Sequence, residues 1–266
     1  MSAPELVLAG AGPALLLVVA LDPSLRPLGA VAVVPAWLAL RIADRPSAIA
    51  WAAVLPLVVV LAWPWILGVD VPVGDPACRD PLSLIALRRL VVAVVGAALV
   101  AAMAVAHGGT RAELGIRAPA RIEGILAVGG GVLLVVTGLV VGPIVARPFF
   151  GALEFPVHAA ALAPALLFGL ANGIVEELLY RGALQAWLGR LAPSVVTIAY
   201  QGVVFGIVHA GPEVVSLVPF HIALLTVVGV AAGIARWRFG SLWVPAGIHV
   251  GADVALYLGL ACRSSP

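Results

Sequence analysis

Lysine is absent from this 266-residue chain, and charge of either sign is scarce at 11% of positions. A soluble domain carries about 25% charged residues, so an ordinary soluble globule is excluded. The 15 basic residues are all arginine. They form no cluster resembling a phosphate-binding face, and a net charge of +2 gives no reason to expect nucleic acid as a partner. Cysteine is nearly missing: Cys78 and Cys262 permit one disulfide at most, and the plain reading is two unpaired thiols. No basic region precedes the first apolar run, which opens Met1-Ser-Ala-Pro-Glu5. A cleaved signal peptide would carry one, so the first helix is expected to be retained. No repeat of fixed period and no soluble domain are visible.

What remains is apolar. Hydrophobic residues make up 63% of the chain, with a mean hydropathy of +1.15. A membrane span needs roughly 20 consecutive apolar residues. Candidate runs lie near 5–21, 28–42, 48–69, 88–107, 123–145, 158–180, 193–210, 214–235 and 240–261. The pattern predicts an all-α, polytopic transmembrane helix bundle of about eight to nine spans. Residues 1–122 form the N-terminal helices and loops, and 123–266 the bundle that carries the chemistry. Two polar stretches interrupt the runs, a Pro- and Asp-rich loop at 70–89 and a turn at 108–122. Arginines in the connections favour an N-terminus on the cytoplasmic side, and the composition suits a bacterial plasma membrane. The tryptophans, Trp187 among them, read as interfacial anchors. Gly138/Gly142, Gly202/Gly206, Gly229/Gly233 and Gly247/Gly251 are spaced for close helix packing.

Three ionisable motifs fall inside the apolar runs: Glu176-Glu177-x-x-x-Arg181, Phe205-x-x-x-His209 and His249-x-x-x-Asp253. Such groups are costly at bilayer depth and mark function by default. Residues four apart share a helix face. Glu177 therefore faces Arg181, and Glu176 points about 100° away with no basic partner in its own turn, which suits a general base. Phe205 and His209 share a face, with room beside them at Gly206. An Asp253–His249 contact would fix the imidazole tautomer, and a donating His249 could stabilise an oxyanion. Each motif alone also fits a bland role: a solvated helix cap for the first, a helix end for His209. His107 and His158 lie at span ends, and His221 reads as structural.

Taken in order on consecutive apolar runs, Glu-Glu-x-x-x-Arg, Phe-x-x-x-His and His-x-x-x-Asn/Asp resemble the CPBP family, the CAAX proteases and bacteriocin-processing (Abi-type) intramembrane proteases. The likeness covers roughly residues 155–258 and includes Gly240-Ser-Leu-Trp-Val-Pro-Ala-Gly-Ile-His249. It implies an intramembrane endopeptidase that hydrolyses a peptide bond of a membrane-associated peptide or protein tail. Glu176 would activate water, His209 would help hold it, and His249 with Asp253 would form the oxyanion site. Glu177, Arg181 and Phe205 would support them. No cofactor is expected on this reading. The family has also been described as metal-dependent, in which case zinc would sit on Glu176, His209 and His249. Many members have Asn where this chain has Asp253, and ionised Asp cannot donate to an oxyanion.

Two other functions share these residues: a transporter or proton relay, and a catalytically silent scaffold. A hydrolase needs Glu176, His209 and His249 to converge, whereas a relay strings them along the membrane normal. Residue counting raises an obstacle to convergence. At 1.5 Å per residue His209 lies about 24 Å along its span and His249 about 12 Å along the last, so the seventh run must start lower, tilt, or break near Gly211-Pro212. The partners expected are the bilayer and the peptide; oligomeric state is unknown.

Overall fold

The computed structural model describes residues 2–66, 84–150, 159–210, 214 and 216–260. These residues are helical, with no strand among them. The helices are α1 (Ala3–Leu21), α2 (Arg26–Ile42), α3 (Ala48–Ile66), α4 (Leu84–Ala106), α5 (Arg121–Phe150), α6 (Ala159–Glu177), α7 (Gln185–Leu188), α8 (Ser194–Val208), α9 (Val218–Phe239) and α10 (Trp243–Leu260). A π-helical segment, Leu178–Leu184, joins α6 to α7, so the sixth apolar run becomes one long rod. Each of the nine runs coincides with a helical rod. Six helices among the described residues are long and apolar enough to cross a membrane, and Ala48–Trp63 and Ser194–Val208 are shorter apolar helices.

Local sequence sets the boundaries. Proline stands in the first turn of α1, α2 and α9, where its missing N–H costs nothing. The Asp22 side chain accepts from the Ser24 N–H and caps the short 3-10 turn leading into α2. Gly240, at φ +67°, closes α9 in the left-handed conformation that glycine adopts without a Cβ penalty.

Close approach at small residues arranges the rods. A Cβ on Gly202 would lie 2.9 Å from Val230 N, and one on Gly229 would lie 2.9 Å from Gly202 Cα, so α8 and α9 pack backbone to backbone. Gly247 and Gly131 do the same for α10 and α5: a Cβ on Gly247 would meet Ala127 O at 2.6 Å. Gly169 and Gly173 of α6 admit α10 at Val254 and Val250. Gly202/Gly206, Gly229/Gly233 and Gly247/Gly251, singled out by spacing, lie at helix contacts, as does Gly138 against Ala255, as expected for small-residue motifs.

One end of the bundle is tied by residues 107–120. Arg190, beyond α7, holds Glu113 through Nε and Nη2 at 2.6 and 2.5 Å. Arg236 of α9 donates to Glu113 O at 2.6 Å. Arg117 bonds Phe239 O, Trp243 Nε1 bonds Arg117 O, and Leu242 N bonds Gly115 O. Gly115, at φ +78°, lies against the Arg236 guanidinium, 2.6 Å from where its Cβ would be, so a side chain here would be strained and would displace Arg236. At the same end Glu5 pairs with Arg45 at 3.2 Å and Arg41 bonds Ala106 O.

The main apolar core joins α1, α3 and α4 to the π segment and α8, while apolar side chains such as Val31, Val140 and Ile144 face outward. Trp187 corrects one expectation: it is fully buried and serves as core, because the rod carrying it runs through the middle of the bundle. His107 accepts from Trp37 Nε1 at 2.9 Å, so it has a protein partner at the end of α4. His221 is buried against Phe149. His158, Cys78, Cys262, Gly211, Pro212 and most of the 70–89 loop lie outside the described residues.

Candidate active site

Glu176 and Glu177 are the last two residues of α6, immediately before the π segment. Their successive positions aim them at different neighbours. Glu177 is buried with Arg181, whose Nη1 donates to Glu177 Oε1 at 2.8 Å, the two side chains being 1% and 0% exposed. The expected Glu177–Arg181 pairing is present. Arg181 also lies over the Phe205 ring at 4.5 Å, so Phe205 packs on the cation and positions α8 beside α6.

Glu176 meets both imidazoles. Its Oε2 lies 3.4 Å from His209 Nε2 and 3.7 Å from His249 Nε2. These separations are longer than direct hydrogen bonds. Three helices, α6, α8 and α10, thus bring one carboxylate and two rings together. The depth obstacle does not arise: α8 stops at Val208 with His209 as its C-cap, and both rings reach the same Glu176 oxygen from opposite neighbours. The side chains are 29% exposed for His209, 14% for Glu176 and 13% for His249, and the Glu176 Oε2 between the rings is buried without a hydrogen-bond partner. A relay strung along the membrane normal does not fit this convergence.

Hydrogen-bond chemistry places a proton on Nδ1 of both rings. His209 Nδ1 lies 2.7 Å from Phe205 O, and a carbonyl only accepts, so Nδ1 carries the proton and donates. His249 Nδ1 donates to Glu177 Oε1 at 2.8 Å. Both Nε2 atoms are therefore turned toward Glu176. The second of these bonds corrects the sequence reading. Asp253 does not set the tautomer of His249; Glu177 does. Asp253 Oδ2 faces Nε2 from 3.7 Å. Gly169 and Gly173 bring α6 so close to α10 that a carboxylate on the neighbouring helix stands nearer than the one a turn away.

Asp253 has another partner that the motifs did not indicate. Asn172 Nδ2 donates to Asp253 Oδ2 at 2.9 Å, both residues being buried. Asn172 lies four residues before Glu176 and shares its face, so an isolated amide in an apolar run was the available signal. The same period of four marks Gln185 after Arg181, and the buried Gln201 faces it from α8. Tyr180 packs edge-on against Phe205 at 5.2 Å.

Two imidazoles and carboxylates are donor types that zinc takes. Among the described residues, however, no group of three or more His, Cys, Asp or Glu side chains is arranged to hold a metal ion.

Residues 158–255 match the family model described as Type II CAAX prenyl endopeptidase Rce1-like. No curated protein and no solved structure matches the chain.

Proposed function

We propose, from the premise that residues 158–255 are an Rce1-like domain of the CPBP family, that Glu176 activates water to cleave a membrane-held peptide or protein tail. The family supports intramembrane endopeptidase activity in general, and the apolar helices make the chain an integral membrane protein. The observation that carries the finer reading is the meeting of Glu176 Oε2 with two imidazole Nε2 atoms from separate helices.

The roles follow from which atoms can donate. A water between Glu176 and His209 offers one hydrogen to Oε2 and the other to His209 Nε2, whose own proton is committed to Phe205 O. Glu176 takes the water proton as the oxygen attacks the scissile carbonyl carbon. The carbonyl π pair moves onto oxygen, giving a tetrahedral oxyanion. His249, held through Nδ1–H by Glu177 and protonated at Nε2, donates to that oxyanion. When the tetrahedral carbon collapses, the C–N bond breaks and Glu176 returns the proton to the leaving amine. Arg181 is a positioning residue: it holds Glu177, which holds His249. Asp253 faces the proton-bearing Nε2 and is itself fixed by Asn172. It acts through His249, which removes the difficulty of a carboxylate standing where relatives offer an amide. No step passes through a metal, and activity is expected to survive exhaustive chelation.

The arginine-rich end that holds residues 107–120 faces the cytoplasm in this reading. The test is purification in detergent and cleavage of a library of membrane-tethered peptides, wild type beside Glu176→Ala. Wild-type cleavage that drops by two or more orders of magnitude in the variant supports the assignment; equal product from both removes it. Loss of wild-type cleavage on chelation, restored by zinc, would replace the metal-free version.

A further inference from the structure

A continuous polar line leaves the site on the side away from His209 and runs through the interior of the bundle. His249 Nδ1 bonds Glu177 Oε1, and Arg181 Nη1 bonds the same oxygen. Arg181 Nη2 donates to Gly229 O at 3.3 Å, and Gln201 Nε2 donates to that same carbonyl at 2.8 Å. Gln185 Nε2 donates to Gly233 O, one turn further along α9, at 3.1 Å. A Cβ on Gly233 would lie 2.4 Å from Gln201 Nε2 and 3.0 Å from Gln185 Oε1, so the two amides flank one glycine. Gln185 is four residues before Gly189, beside the arginine-rich end where Arg190 holds Glu113.

Each of the four side chains in this line leaves one polar atom without a protein partner: Glu177 Oε2, Arg181 Nε, Gln201 Oε1 and Gln185 Oε1. All four residues are more than nine-tenths buried. A buried polar atom left unmade costs about 1–3 kcal/mol, and native interiors satisfy such atoms with ordered water. Turning the Gln201 amide over does not help, because its nitrogen already donates to two carbonyls, Ile198 O and Gly229 O. Gln185 Oε1 and Gln201 Oε1 are orphaned acceptors on two side chains that both lie against Gly233, and water is a donor that can serve them. Glu177 Oε2 and Arg181 Nε, an acceptor and a donor on paired residues, call for one that both donates and accepts.

We infer that a file of internal waters runs along Glu177, Arg181, Gln201 and Gln185 and connects the site with the arginine-rich end of the bundle. Three of the four side chains, Glu177, Arg181 and Gln185, recur every fourth residue across the π segment and the residues flanking it. The file would supply hydrolytic water through the interior of the bundle. That supply role rests on the hydrolase reading, whereas the waters themselves do not.

Brief exposure of the purified protein to X-ray-generated hydroxyl radicals tests it, because bound water is converted to radical where it stands. Ile198 and Ile49 are the same residue type and each is 8% exposed. Ile198 lies on the line, 3.2 Å from the Gly233 Cβ position, and Ile49 lies in the apolar core of α3. Oxidation of Ile198 at least five-fold faster than Ile49 in the wild type is expected, falling to the Ile49 rate in Gln201→Leu. Equal rates in the wild type overturn the file, and this comparison needs no variant to fold. In the peptide assay, Gln201→Leu is expected to lower kcat about tenfold with KM unchanged; an unchanged kcat overturns the supply role. A wild type that labels Ile198 rapidly but cleaves nothing would keep the file and sink the hydrolase.

Discussion

Glu176 and Glu177 are adjacent in sequence and opposite in consequence. Glu177 Oε1 accepts from Arg181 and from His249, each at 2.8 Å, inside a pair with almost no solvent contact. Removing one partner of such a pair leaves a buried charge and costs about 3–5 kcal/mol. Glu177→Gln is therefore expected to lower thermal stability in detergent strongly, and activity with it. Glu176 has no ion pair to arginine among the described residues and faces the two rings. Glu176→Gln is expected to melt near wild type while cleavage falls by roughly 10²–10⁴. Equal melting losses in the two variants would contradict the division of labour. Asn172→Ala strips Asp253 of its only described donor and is expected to destabilise by about 1–3 kcal/mol. In a double-mutant cycle with Asp253→Ala the two losses should not add, and additive losses would show that the bond is not formed. The three motifs were legible because an ionisable residue in an apolar run stands out. Asn172, Gln185 and Gln201 were less visible because a neutral amide is cheaper in such a run. The tautomer of His249 could not be read at all, since its partner is 72 positions away in sequence.

Elements place these side chains through small residues. The carbonyl of Gly131 stands where a Cβ on Gly251 would be, so Gly251→Leu must push α10 off α5. His249, two residues earlier, moves with it. Cleavage is expected to fall at least a hundredfold with a lower melting temperature. Gly124→Ala, on the same α5 helix with nothing within 4 Å of its Cβ position, should match wild type. Comparable effects would deny the α5–α10 contact its role in positioning the site. The nine apolar runs gave the rods because hydropathy and length decide what crosses a bilayer. The π segment Leu178–Leu184 was invisible for a physical reason: one extra residue in a turn requires no particular composition. A further element-level contact joins α2 to the end of α4 through Trp37 and His107. Burial first, then Arg41 and Arg190, holds the His107 pKa below its ordinary 6.5. The unfolded chain therefore takes up this proton at higher pH than the folded one. The contribution of His107 to stability should be complete above pH 6.5 and be lost as pH falls through the lowered value. His107→Gln should flatten that part of the pH–melting profile, and an unchanged profile would remove the assignment.

At the scale of the whole molecule, the distribution of arginine fixes an expected orientation. Arg41, Arg45, Arg111, Arg117, Arg121, Arg190, Arg236 and Arg238 belong to the end closed by residues 107–120, or to turns joined to it. Among the described residues only Arg26, Arg88, Arg89 and Arg147 belong to the other end. Arg181 is buried between them and takes no side. Eight against four among the described residues favours the first end, while Arg79 and Arg263, outside the described residues, fall by chain order on the other side. Loops rich in Arg are retained in the cytoplasm, so this end is expected to face inward. Glu5 of α1 is bonded to Arg45 at the same end, which puts the N-terminus there. α10 begins at that end, where Leu242 bonds Gly115, and runs away from it, so its last turn lies at the opposite face. A reporter that works only in the cytoplasm should be active when fused before residue 1 and silent after residue 266, with an export-dependent reporter giving the reverse. Both ends on one side would mean that one of the helices outside the six candidate spans, α3, α8 or α10, does not cross. The inverted result would place the arginine-rich end, and the entry of the proposed water file with it, outside the cell.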